Sequence, residues 1–202
     1  MIKTLIFDFG DVFINLDKAA TQQNLRKIQI DELPEHIHSR NRDYEQGFVT
    51  SDEISNIYRT EFPQLQHSDF LDSWNSILLD FPKYRLQFLQ KLAEKKKFQL
   101  ILLSNTNDNH IENIKSRIPF YEDFKSCFDA FYLSHEIGMR KPNPDIFEFV
   151  LEQHKLIAEE CLFIDDTAEN TQAAAALGMH VWNLEPTRED VIDLFTTKKE
   201  LF

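Results

Sequence analysis

The chain has 202 residues, 42% of them hydrophobic and 28% charged, which is ordinary for a globular protein and leaves room for a domain with an insertion. Its net charge of −12 argues against a nucleic acid or an anionic membrane surface as partner. The apolar runs, such as residues 100–103, are too short to span a bilayer. Met1 leads directly into a strand-like segment without a signal-peptide pattern, so we expect a cytoplasmic protein. The two cysteines, Cys127 and Cys161, are expected to be reduced.

Five segments are predicted to be β-strands, because they are rich in apolar and β-branched residues. They are residues 2–9, 98–104, 130–134, 161–165 and 180–184. Helical patterns lie between them at residues 84–97, 145–154 and 167–177, and the last ends at Gly178, a common stop signal for helices. This alternation of strands and helices predicts an α/β protein with a parallel sheet.

Residues 17–80 interrupt the alternation. They contain no convincing buried strand and instead carry several helical segments with apolar and aromatic residues. We therefore predict a core domain of residues 1–16 plus 81–202, into which a helical domain of residues 17–80 is inserted.

Polar side chains end three of the predicted strands. Asp8 ends the first, Ser104 and Asn105 end the second, and Asp165 and Asp166 end the fourth. Each group alone is equally well explained as a helix N-cap. Ligands of open parallel sheets, however, bind at the carboxyl ends of the strands, so the three groups together predict one site.

The residue types at these strand ends indicate phosphate chemistry with a metal ion. Carboxylates from two strands suit Mg²⁺, which would neutralise Asp8 and a phosphate so that one anion can attack the other. Ser104 and the amide of Asn105 would bind phosphoryl oxygens, and Lys141 would offset their charge. No glycine-rich phosphate loop is present, so nucleoside triphosphate chemistry is not indicated.

Four segments of the chain resemble the four ordered motifs of the haloacid dehalogenase (HAD) superfamily. They are LIFDFGDV at 5–12, LLSNTN at 102–107, GMRKPNPDIF at 138–147 and FIDDTAEN at 163–170. The resemblance implies a Rossmann-like three-layer core, an inserted helical cap of the family's type 1, and a Mg²⁺-dependent phosphatase. The second and third motifs most resemble the branch of α-D-glucose-1-phosphate phosphatases, which implies a small phosphate ester, a sugar phosphate, as substrate. We expect a monomer or a weak homodimer.

The resemblance also implies a role for each motif residue. Asp8 would be the nucleophile that forms an aspartyl-phosphate, and also a metal ligand. Gly10 would offer its backbone carbonyl to the metal, and Asp166, backed by Asp165, would complete the metal site. Lys141 would in addition steady Asp8 during catalysis. The residues expected to bind the substrate are Ser104, Asn105 and Lys141.

The chain departs from the family pattern at Gly10. Most phosphatases of the family carry an aspartate there, which serves as general acid and base, and losing such a group typically costs about 10²- to 10⁴-fold in rate. Catalysis is then either limited to good leaving groups or rescued by Asp11, a water or a substrate group. Asp11 is more simply interpreted as a solvated or capping carboxylate.

Two alternative functions follow from the same residues. Gly10 motivates a catalytically weak protein that binds a phosphometabolite without turning it over. Carbon–halogen hydrolysis is a further option, but the dehalogenases of the superfamily need no Mg²⁺ and lack the paired acidic motif, so Asp165 and Asp166 argue against it.

Three further features lie outside the motifs. His110 is expected to be solvated or structural rather than part of the cleft, and Phe70 and Trp74 are expected in the core of the insertion. Residues 43–48 resemble a stretch that faces the active site in related caps, so we expect one or two of them to touch the substrate.

Overall fold

A computed structural model describes all 202 residues and shows five parallel strands in a single sheet, in the order β3-β2-β1-β4-β5. Each observed strand lies within one of the predicted segments. The first prediction runs too far, because the chain leaves the sheet after Phe7, and the amide of Asp11 then donates to the carbonyl of Ile14. The strands are β1 (Thr4–Phe7), β2 (Gln99–Ser104), β3 (Ala130–Leu133), β4 (Cys161–Asp165) and β5 (His180–Asn183).

The chain forms eleven α-helices. The predicted helices at 84–97, 145–154 and 167–177 correspond to α5, α9 and α10, with ends shifted by one or two residues. The helices are α1 (Ala20–Lys27), α2 (Glu35–Glu45), α3 (Ser51–Glu61), α4 (His67–Asn75), α5 (Lys83–Lys95), α6 (Asp108–Arg117), α7 (Tyr121–Lys125), α8 (Ser134–Ile137), α9 (Pro144–His154), α10 (Ala168–Ala176) and α11 (Leu194–Thr197).

The sheet is covered on both faces. Leu5 and Phe7 of β1 pack into one apolar cluster with residues of α5, α6 and α7, whereas Ile6 packs into a second cluster with residues of α9 and α10. Because successive side chains of a strand point to opposite faces, a strand buried on both sides must be apolar throughout. This arrangement confirms the predicted three-layer, Rossmann-like α/β class.

The helices α1 to α4 form a helical insertion between β1 and α5, and they have an apolar core of their own. Phe70 and Trp74 lie in this core, as predicted, and it contains no residue of the sheet. The chain enters and leaves the insertion through two adjacent stretches. There the amide of Asn15 donates to the carbonyl of Asp80 over 2.9 Å, and the amide of Leu79 donates back to the carbonyl of Asn15 over 3.0 Å.

Two smaller observations concern the expected environment of the chain. No helix combines the length and the apolar character needed to cross a membrane. Cys127 and Cys161 are both free thiols, and burial raises the pKa of each. Neither thiol is activated as a nucleophile.

Candidate active site

The predicted site residues converge at the carboxyl edge of the sheet, around a cavity of about 390 Å³. The strand order places β1 between β2 and β4, so the loops that follow these three strands are neighbours. The insertion contributes Glu45, Ile77 and Leu78 to the same cavity. Of the predicted site residues, those that line the cavity are Asp8, Gly10, Ser104, Asn105, Lys141 and Asp166.

Lys141 connects the ends of strands β1 and β4. Its ammonium, 1% exposed, donates to Oδ1 of Asp8 over 2.8 Å, to Oδ2 of Asp165 over 2.6 Å and to the carbonyl of Leu103 over 2.8 Å. Burial alone would lower the pKa of Lys141, but the carboxylates of Asp165 and Asp8 raise it above its usual value. The lysine is therefore a fixed positive charge beside Asp8.

The pKa of Asp8 is raised despite its contact with the positive charge of Lys141. Burial raises the pKa of Asp8 to about 7; the charge of Lys141 opposes this rise, while the nearby Asp165 and Asp166 add to it. Carboxylate oxygens of these three aspartates lie within 4.8 Å of one another. Such a set of oxygen donors fits a hard divalent cation, whose charge would return Asp8 to its ionised form.

The two aspartates after β4 have different surroundings. Asp165 is fully buried, and its oxygens accept hydrogen bonds from the amide of Thr167, the side chain of Asn170 and Lys141. Asp166 lines the cavity and pairs with the exposed ammonium of Lys18. A cation in the cavity would therefore meet the carboxylate of Asp166 directly, whereas the lone pairs of Asp165 are engaged by protein donors.

Ser104 and Asn105 are held differently at the end of β2. Ser104 lines the cavity and its hydroxyl makes no hydrogen bond within the protein, so it is free to bind a ligand there. The side chain of Asn105 is already engaged, because its Oδ1 accepts from the amide of Lys141 and its Nδ2 donates to the carbonyl of Lys141. Asn105 thus ties the end of β2 to the lysine loop.

Leu16 fills the space in front of Gly10. A Cβ atom at position 10 would lie 2.7 Å from Cδ1 of Leu16 and 3.8 Å from Oδ2 of Asp8. Asp11 is buried rather than solvated: its Oδ1 accepts from the amide of Leu16 over 2.9 Å, and it does not line the cavity. The carboxylate of Asp11 holds the loop after β1 and caps no helix, since α1 begins at Ala20.

His110 lines the cavity, which the sequence did not favour, but it is also structural. Its Nε2 lies 3.1 Å from the carbonyl of Trp74 and its Nδ1 lies 3.2 Å from the side-chain amide of Asn107. Burial lowers the pKa of His110 to about 4, so the ring is neutral near pH 7. A neutral ring with both nitrogens engaged cannot act as a general acid.

Sequence reasoning missed three charged residues at the cavity, namely Lys18, Arg140 and Glu169. Arg140 precedes Lys141, and its Nε donates to Oε2 of Glu45 over 2.9 Å. Glu45 belongs to the stretch 43–48 that was expected to face the site, but its partner lies 95 residues away and no local pattern indicates the pair. Lys18 also lines the cavity and lies 3.3 Å from Oδ2 of Asp11.

Comparison with known proteins identifies the family. The family of haloacid dehalogenase-like hydrolases matches residues 2–178, and the chain belongs to it. A HAD family enzyme from Bacteroides thetaiotaomicron, solved as a magnesium complex, has a TM-score of 0.85 and 34% identity, covering 96% of this chain and 98% of that one. The same enzyme in complex with magnesium and inorganic phosphate has a TM-score of 0.83 and 33% identity. A HAD-like family hydrolase from Porphyromonas gingivalis has a TM-score of 0.82 at 26% identity, over 98% and 97% of the two chains.

Two curated relatives differ in what they act on. D-ribitol-5-phosphate phosphatase of B. thetaiotaomicron is 25% identical over 198 residues, which cover 92% of this chain and 93% of that protein. Drimenol cyclase drtB of Aspergillus calidoustus is 32% identical over 186 residues, or 89% of this chain. The match spans only 33% of the length of drtB. The finer resemblance to the α-D-glucose-1-phosphate phosphatase branch stays a prediction.

Proposed function

We propose that this hydrolase is a Mg²⁺-dependent phosphatase of a small phosphorylated metabolite, a sugar phosphate. The observation that carries the proposal is the position of Asp8, which lines the cavity while Lys141 holds its Oδ1 and Asp166 lies beside it. The ribitol-5-phosphate phosphatase and the magnesium and phosphate complexes among the relatives support the same chemistry.

In this proposal Asp8, Asp166 and the backbone carbonyl of Gly10 hold the metal, with Asp165 behind them. When bound, Mg²⁺ supplies the positive charge that lets a carboxylate approach a phosphate dianion. Lys141 fixes Oδ1 of Asp8, so Oδ2 is the oxygen that attacks phosphorus while the bond to the leaving oxygen breaks. Water then hydrolyses the aspartyl-phosphate and regenerates the carboxylate.

The phosphoryl group would be bound by Ser104 and by the backbone at Asn105. Lys141 would act on it through its charge, because its three N–H groups already donate to Asp8, Asp165 and Leu103. The free hydroxyl of Ser104 supports this role, since it lines the cavity and has no partner within the protein. We further propose that residues 17–80 act as a cap that closes over the substrate. The cavity volume of about 390 Å³ lies in the range of small-molecule sites, and the insertion forms part of its wall.

Residue 10 is a glycine, so no side chain at this position can donate a proton to the leaving group. Neither His110, which is neutral and engaged, nor Asp11, which does not line the cavity, is placed to replace it. The proton would come from water or from the substrate, and turnover would be fastest for leaving groups that need little protonation.

Gly10 also favours the second candidate, a protein that binds a phosphometabolite and hydrolyses it weakly or not at all. Leu16 occupying the space beside Gly10 is the specific observation for it.

The test is phosphate release from a panel of sugar phosphates and p-nitrophenyl phosphate with Mg²⁺, using Asp8→Asn as control. The phosphatase predicts Mg²⁺-dependent release that Asp8→Asn abolishes. Release no higher than that of the control on every substrate rejects the enzyme, and tight calorimetric binding of a sugar phosphate in the same samples would establish the binding protein.

A further inference from the structure

Glu45 and Arg140 form an ion pair across the cavity, between the insertion and the core. Glu45 is the last residue of α2, and Arg140 directly precedes Lys141. Nε and Nη2 of Arg140 lie 2.9 Å and 2.8 Å from Oε2 of Glu45. Both side chains line the same cavity as Asp8. The pair is thus adjacent to the proposed reaction centre and forms part of the wall that a leaving group would contact.

The segment that carries Glu45 is held close to the core. Gly47, two residues after Glu45, has a φ of +71°, and a Cβ there would lie 2.1 Å from the carbonyl oxygen of His135 in α8. Only glycine permits this approach of α2 to α8. The hydroxyl of Tyr44 also accepts from the amide of Asn109 over 3.2 Å. A pair fixed in this way differs from a mobile surface salt bridge.

The ion pair leaves one carboxylate oxygen and one guanidinium nitrogen without a partner. Both contacts of Arg140 converge on Oε2, so Oε1 of Glu45 and Nη1 of Arg140 have no hydrogen-bond partner in the protein. The side chains of Arg140 and Glu45 are 20% and 30% exposed, respectively, so ligands can reach them. A hydroxyl group both donates and accepts, and therefore matches a carboxylate oxygen beside a guanidinium N–H.

We propose that Glu45 and Arg140 select substrates whose leaving group is a neutral, hydroxylated chain. This inference rests on the proposed phosphatase function and adds the two residues that select its leaving group. A second phosphate or carboxylate is disfavoured, because Glu45 already neutralises Arg140 and would repel it. An apolar chain is disfavoured because it would remove water from an ion pair without replacing its hydrogen bonds.

The experiment compares probes that differ only in hydroxylation. Ribitol 5-phosphate and n-pentyl phosphate have five-carbon chains, and a pentitol bisphosphate adds a second anion. The ratio of kcat/KM for ribitol 5-phosphate over pentyl phosphate is measured in the wild type, Glu45→Gln and Arg140→Met. Glu35→Gln is the matched control, because Glu35 forms an exposed pair with Arg42 on the same helix.

The wild type is expected to prefer ribitol 5-phosphate over both other probes. Each cavity variant is expected to lower the ratio by about ten-fold, mainly through KM, since hydrogen bonds to charged groups are involved. The Glu35→Gln ratio should stay unchanged. A wild-type ratio of one or less, or cavity variants within two-fold of the wild-type ratio, overturns the inference while leaving the phosphatase intact.

A binding measurement separates this inference from the proposed function. Calorimetric titration of the Asp8→Asn protein with ribitol 5-phosphate and pentyl phosphate, in the presence of Mg²⁺, needs no turnover. The affinity ratio is expected to fall about ten-fold when Glu45→Gln is added. An unchanged ratio rejects the role of the pair even if the wild type releases no phosphate at all.

Discussion

The ammonium of Lys141 lies 2.6 Å from Oδ2 of Asp165, and neither side chain has more than 1% of its surface exposed. The same ammonium binds Asp8, so one positive charge compensates two buried carboxylates. Removing one partner of a buried ion pair is far more costly than removing an exposed one.

Lys141→Met is therefore expected to lower the free energy of unfolding by about 3–5 kcal/mol, because it leaves Asp8 and Asp165 without their counter-charge. Adding Asp165→Asn should restore part of the loss. Urea unfolding followed by circular dichroism measures both values. Lys115→Met, which removes an exposed ion pair with Glu112, is the control and should change stability by less than about 1 kcal/mol. A Lys141→Met protein as stable as this control would contradict the assignment.

The Mg²⁺ proposal predicts ligand-induced stabilisation. At a concentration 100 times its dissociation constant, Mg²⁺ should stabilise the protein by about 2.7 kcal/mol. Asp166→Asn should remove most of this gain, because the carboxylate that faces the cavity is lost. Lys18→Met should keep the gain or enlarge it, since the Lys18 ammonium pairs with Asp166 and competes with the metal. Thermal unfolding with and without Mg²⁺ measures the effect, and equal gains in the wild type and Asp166→Asn would refute the metal site.

Leu16 controls whether an acid can be restored at position 10. Gly10→Asp alone places its Cβ 2.7 Å from Cδ1 of Leu16, so Leu16 must rotate and the carboxyl group will be poorly positioned. The double variant Gly10→Asp with Leu16→Ala opens the space. We expect it to raise kcat on an alkyl phosphate by roughly ten-fold or more over Gly10→Asp, with a smaller change on p-nitrophenyl phosphate. Leu16→Ala alone serves as the control, and equal gains on both substrates would argue against an acid role.

Because the ring of His110 is buried, we expect the stability of the protein to depend on pH. Burial lowers its pKa from an ordinary value of 6.5 to about 4, so between these pH values the unfolded chain binds more protons than the folded one. Stability is therefore expected to fall as the pH falls from 6.5 to 4, by about 3 kcal/mol from this group. His110→Gln should flatten that slope in urea titrations at several pH values. His38→Gln, at an exposed position on α2, should leave it unchanged.

Asn107 connects the insertion to the core. Its Oδ1 caps α6 by accepting from the amide of His110, and it also accepts from Nε1 of Trp74 over 3.2 Å. Asn107→Ala removes the cap and leaves the indole N–H unpaired, so we expect a loss of about 2 kcal/mol. Asn107→Ser keeps a capping acceptor for α6 without burying a charge and should lose less. Thermal unfolding measures the stability of the two variants, and equal stabilities would argue against this contact.

The sheet and the motif residues were predictable because their signals are local. Continuous apolar runs mark strands covered on both faces, and the strand order then brings Asp8, Ser104 and Asp166 together. The helix α6 was not predicted, because only Ile111 and Ile114 form its apolar stripe.

Contacts between distant residues could not be predicted. The pairing of Glu45 with Arg140 depends on how the insertion packs against α8, which no periodicity encodes. The same is true of Leu16 filling the space at Gly10. Asp165 and Asp166 are adjacent residues of the same type, so the sequence does not distinguish their roles. The fold shows that Asp165 contacts Lys141, whereas Asp166 lines the cavity.

The chain enters and leaves the insertion at one point, where Asn15 and the Leu79–Asp80 segment are hydrogen-bonded side by side. Since the two ends already touch, a short turn could bridge them without altering the strand order. A segment attached in this way can be lengthened, shortened or exchanged during evolution while the sheet and its catalytic loops stay in place. Under the proposed function, substrate choice could then change without any change in the residues that carry out the reaction.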